Sequence, residues 1–172
     1  MVEPVVDADA VAHGTEAAPV TARSLVAIFA SPVATHLLCY GRDAGFRPVL
    51  VEPDPARASA VDGVEVVASM ADAKPDPDTD VVMTDHHRDE LGVLLRDALA
   101  LPTRWIGLMG SPRHAAPHPE ALAALGVPQD EIARVHRPIG LNIGSRTPAE
   151  IAISALAGLL ADRNGRPGGF DF

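Results

Sequence analysis

The sequence predicts an α/β fold, a doubly wound parallel sheet in three layers (α/β/α). Three observations predict it. Short aliphatic runs alternate with segments of helical periodicity over most of the chain. The runs are apolar at successive positions, as strands buried on both faces must be. Aromatic residues are only 3% of a chain that is 47% hydrophobic, so Val, Leu, Ile and Ala must build the core, and these suit helices packed on a sheet.

Residues 1–23 are rich in Ala, Val, acidic residues and Pro without periodicity, and are expected to form a flexible tail. Residues 24–29 read as the first strand, followed by a turn at Ala30-Ser31-Pro32. A helix is expected over 33–45, with Val33, Leu37, Leu38 and Cys39 on one face and Gly45 as its stop. Residues 47–52 are a second strand ending in Glu52, and 64–67 a third. Pro75 and Pro77 exclude a helix through 74–78. Residues 80–84 form a fourth strand. A helix follows over 91–101, with Leu91, Leu94, Leu95, Ala98 and Leu99 inward, and 105–109 is a fifth strand. Residues 120–125 are helical, capped by Gly126, with one more turn over 128–133. A Gly-rich loop, 138–146, leads to Thr147-Pro148-Ala149-Glu150, where an N-cap Thr, a Pro at the first helical position and a capping-box Glu open the last helix. Asn164-Gly165 ends it. The domain is therefore 24–165, with tails at 1–23 and 166–172.

A net charge of −9 opposes general nucleic-acid binding and an anionic membrane surface. No apolar run is long enough to span a bilayer, and the first 21 residues lack the basic and apolar regions of a signal peptide, so a cytoplasmic protein is expected. The single cysteine, Cys39, excludes an intramolecular disulfide and reads either as a core thiol or as a reactive one.

Ligands of such sheets bind beyond the carboxyl ends of the strands. Four segments carry chemistry there. The first turn should hold the glycines that let a backbone approach a pyrophosphate, but it reads Ala30-Ser31-Pro32-Val33-Ala34-Thr35. Pro32 also removes an N–H, leaving Ser31 Oγ as a substitute donor, so tight NAD(P) binding is disfavoured. Glu52 stands about 20 residues on, where an acid that binds ribose would be. Thr84-Asp85-His86-His87 offers imidazoles for ligand contact or proton transfer, against a reading in which Asp85 caps the next helix and the histidines are solvated. Adjacent histidines without a second ligand pair do not make a metal site. Gly110 and Ser111, with Arg113, suit an anion at a helix N-terminus, or form a tight turn only. Asn142, Gly144, Ser145 and Arg146 precede a capped helix, a good place to fix a guanidinium for carboxylate or phosphate recognition.

Two strings carry a family resemblance: Trp105-Ile106-Gly107-Leu108-Met109-Gly110-Ser111-Pro112-Arg113, and His136-Arg137-Pro138-Ile139-Gly140-Leu141-Asn142-Ile143-Gly144-Ser145-Arg146-Thr147-Pro148-Ala149-Glu150-Ile151-Ala152. They resemble the signatures of the Rossmann half of the XdhC/CoxI family of molybdoenzyme accessory proteins, over roughly residues 80–164. The resemblance implies a Rossmann-like fold and a homodimer. It also implies a maturation role without a catalysed reaction of its own: binding molybdenum cofactor (molybdopterin), assisting its sulfuration and delivering it to a molybdenum hydroxylase such as xanthine dehydrogenase. Two features depart from the family: a tail stands where an N-terminal domain usually precedes, and the first turn lacks its glycines. An NAD(P)-binding oxidoreductase with a degenerate glycine loop and a dimeric scaffold without catalysis are the alternatives.

Overall fold

A computed structural model describes residues 7–17 and 23–169. Its centre is a six-stranded, wholly parallel sheet in the order β3-β2-β1-β4-β5-β6. The strands are β1 (Arg23–Ile28), β2 (Phe46–Val51), β3 (Glu65–Val67), β4 (Thr79–Met83), β5 (Trp105–Leu108) and β6 (Val135–His136). The strand order reverses between β1 and β4, which opens a crevice at their carboxyl ends.

The aliphatic runs divide by alternation between two cores. Val26, Ile28, Val81, Met83, Ile106 and Leu108 face one side, covered by α3 (Leu91–Ala100), α4 (His118–Ala124), α5 (Gln129–Ile132) and the Met70–Ala73 turn. Leu25, Ala27, Leu50 and Val82 face the other, under α2 (Pro32–Asp43) and α6 (Pro148–Arg163). The expected three-layer architecture is thus present, and the aliphatic runs follow from burial on both sides.

Local differences have physical causes. The first strand stops one residue early, because Phe29 takes a positive φ of 75° and turns the chain out of the sheet. Val135–His136 adds a sixth strand that the sequence left unassigned; two residues carry no periodicity. Cys39 is half-buried, since α2 turns Ala34, Leu37, Leu38 and Gly41 inward instead. Within the expected N-terminal tail, Ala8–Ala12 forms a one-turn helix, α1, capped by Asp7 with no buried residue. The last helix opens as read, with Thr147 Oγ1 accepting the Glu150 N–H and the Glu150 carboxylate returning to Thr147 N–H. No helix among the described residues is long and apolar enough to cross a membrane.

At the amino ends of the strands, Asp80 is fully buried. It accepts a hydrogen bond from Arg104 Nε at 2.6 Å and another from Arg163 Nε at the end of α6. Arg104 also reaches Asp162 at 2.7 Å. This cluster ties β4, β5 and α6 together at the end of the sheet opposite the crevice.

Candidate functional site

At the switch point Ser31 and Thr84 are engaged with each other, and Glu52 with Arg88 and backbone N–H groups. Ser31 caps α2, its Oγ accepting the Ala34 N–H at 3.0 Å and lying 3.2 Å from Thr84 Oγ1. Thr84 Oγ1 lies 2.8 Å from the Phe29 carbonyl and 3.0 Å from that of Ile28, donating across the crevice floor. Glu52 is 2% exposed. Its carboxylate accepts the Ala30 N–H at 2.8 Å, the Asp54 N–H at 3.0 Å and a two-pronged contact from Arg88 at 3.1 and 3.2 Å. Burial works against the Glu52 charge, but Arg88 and the two N–H groups outweigh it and hold the carboxyl below its ordinary value. Arg88 is itself buried, lies over the Phe29 ring and bonds Glu90 as well. A ribose hydroxyl would have to displace Arg88 to reach Glu52.

The Gly-rich loop and the β5 turn, by contrast, enclose open space. Seven of the sequence-predicted residues line a cavity of about 710 Å³: Gly110, Ser111 and Arg113 on one side, and Asn142, Gly144, Ser145 and Arg146 on the other. Two fastenings shape it. Ser154 of α6 donates to the Leu141 carbonyl and accepts the Leu141 N–H on its own carbonyl. Gly140, at φ 89°, permits the approach, and a Cβ on Gly158 would fall 2.7 Å from the Gly140 Cα. On the other side Arg137 donates to the Ser111 carbonyl at 3.0 Å and reaches that of His114 at 3.4 Å, with its guanidinium against Gly110. The side chains of Arg113 and Arg146 have no partner among the described residues, their bonded atoms being the backbone N–H groups. No carboxylate is in the wall among the described residues. The nearby Glu150 carboxylate is engaged by the Arg146 and Thr147 N–H groups, which hold it below its ordinary value.

Two expectations are corrected here. Gly110-Ser111 does not open a helix: residues 112–114 form a turn, and α4 begins only at His118, so side chains and loop N–H groups are the available anion donors. Asp85 does not cap α3, whose N-cap is Glu90 without a side-chain bond; it accepts the His87 N–H at 2.9 Å and closes its own turn. His86 and His87 line a second pocket, of about 500 Å³, with Ser111 and His114. Ser111 is common to both cavities. Sequence reading missed Arg88 and Arg137. The first sits in a polar run that looks solvated, and the second fills a position between signature residues. Among the described residues no group of three or more His, Cys, Asp or Glu is placed to hold a metal.

Strand order and switch point define a doubly wound α/β domain of Rossmann type, whose larger cavity is displaced from the switch point towards β5 and β6. The chain belongs to the XdhC Rossmann-domain family, whose model matches residues 25–159. It is 39% identical over 98 residues to the uncharacterized protein YqeB of Escherichia coli (strain K12), covering 57% of this chain and 17% of that protein. In structure it is similar to a xanthine dehydrogenase from Bacillus halodurans, at 23% identity and a TM-score of 0.63, over 84% of this chain and 45% of that one. The chain spans less than half the length of either.

Proposed function

We propose that this domain serves the maturation of a molybdenum hydroxylase of xanthine dehydrogenase type, holding molybdenum cofactor in the cavity between the β5 turn and the 138–146 loop. The observation that carries the reading is the pair of guanidiniums, Arg113 and Arg146, that have no partner among the described residues, in a cavity whose described wall has no carboxylate. The donor set fits the group. About 710 Å³ is within the usual size of a cofactor site. Arg113, Arg146 and the Ser111 and Ser145 hydroxyls suit a phosphate. Ile139, Leu141 and Ile143 give apolar wall for a flat heterocycle. Such a cofactor carries redox chemistry when bound; the chain's own residues would bind and orient it and shield one face from water. Ile143 at the cavity and Ile153 on α6 are 53% and 50% exposed, apolar surface suited to the receiving apoenzyme or to a second copy in a homodimer. A nicotinamide dinucleotide is less well served: Ser31 and Glu52, its expected partners, are bonded internally.

Equilibrium dialysis against molybdopterin tests the reading. Arg146→Ala should weaken binding about ten- to hundred-fold, the value of one charge-assisted hydrogen bond, with the thermal midpoint unchanged. Equal affinity in wild type and Arg146→Ala would reject the cavity as the seat.

A further inference from the structure

The second pocket lies between the β4 and β5 turns. His86 and His87 enter it from one turn, with ring centroids 4.0 Å apart, and His114 and Ser111 from the other. No ring nitrogen of these three histidines has a hydrogen-bond partner among the described residues; His87 and His114 bond through their backbone atoms. The Arg137 guanidinium braces the β5 turn beside them, with its Nε buried and unpartnered. The carboxylate acting here is that of Asp85, already bonded to the His87 N–H. Three imidazoles and a hydroxyl line the pocket, with the Arg137 guanidinium and the engaged Asp85 carboxylate beside it, so its charge becomes positive on protonation.

We propose that this pocket is a second anion site, binding an oxyanion of phosphate type through its imidazoles in their protonated form. The direction of the proton linkage follows from the neighbours. Burial, then His87 and Arg137, hold the His86 imidazole below its ordinary value; Asp85 pulls it up, and His114 lowers it further. An anion among these groups reverses the balance, so binding takes up a proton and tightens as pH falls. Because Ser111 belongs to both walls, an anion here and a ligand in the larger cavity are neighbours. The inference does not depend on cofactor binding in that cavity.

Sulfate is the probe, since its own charge is constant between pH 5 and 8. Calorimetry in two buffers of different ionisation heat, on the Arg113→Ala/Arg146→Ala protein, reads the second pocket with the guanidiniums of the first removed. Uptake of about one proton per sulfate is expected near pH 6.5, with affinity rising up to about ten-fold per unit of falling pH. Adding His86→Asn, His87→Asn and His114→Asn should abolish the uptake. In the wild-type protein, imidazole resonances should show the His86 titration moved upward by sulfate, a readout that needs no variant to fold. Sulfate binding without proton uptake, uptake that survives loss of all three histidines, or an unmoved His86 titration would each overturn the proposal.

Discussion

Arg88→Ala is expected to destabilise the domain by about 3–5 kcal/mol, measured by urea unfolding, because it leaves the Glu52 carboxylate buried without its counterion. The magnitude comes from the stranded charge rather than from the attraction lost, so a second variant separates the two. Glu52→Gln/Arg88→Met removes both charges yet keeps an oxygen for the Ala30 N–H, and should recover most of the loss. The pH profile carries the same signature. The Glu52 carboxyl lies below its ordinary value of 4.5, so its contribution is complete above about that pH and is lost as the pH falls through the native-state value. Glu52→Gln should flatten that acid limb. A loss under 1 kcal/mol in Arg88→Ala would mean that water reaches Glu52 and that the switch point is open.

Asp80→Ala should be of similar size, about 3–5 kcal/mol, and for a related reason: two guanidiniums converge on one fully buried carboxylate. Here the stranded charges are positive. Arg104 retains Asp162, and Arg163 retains the Asp78 carbonyl, so Asp80→Asn, which keeps an acceptor oxygen, should lie between wild type and Asp80→Ala. Since Arg163 is the last residue of α6, the loss should also loosen that helix and, through Ser154 and Gly158, the loop that walls the larger cavity. Urea unfolding reads the first effect and molybdopterin affinity the second. Unchanged stability in Asp80→Ala would place the weight of α6 on its apolar contacts with α2 alone.

Much of the fold was legible in the sequence because each central strand is an aliphatic run bounded by a turn, and because Thr147-Pro148-Ala149-Glu150 spells a helix start. β6 escaped because it is held by pairing with β5 and by Val135 burial, neither of which has a local pattern. The candidate site was half legible. Glycines, serines, an asparagine and arginines in two turns marked the larger cavity, but nothing in either string says that the turns face each other. Glu52 read as a ligand group because its position is the usual one; its partner Arg88 lies in a distant polar turn, and only the folded chain brings the two together. The same holds for Arg137, whose acceptors are carbonyls and leave no mark in the sequence.

Trp105 is the only tryptophan of the chain. Its ring lies over Gly107 beside Ile139, a wall residue of the larger cavity, and stacks on His136 with centroids 5.2 Å apart. The protein therefore contains its own optical probe. Occupancy of the cavity reaches the indole through Ile139 and should alter its emission without any attached dye, so the seat can be followed in the unlabelled protein.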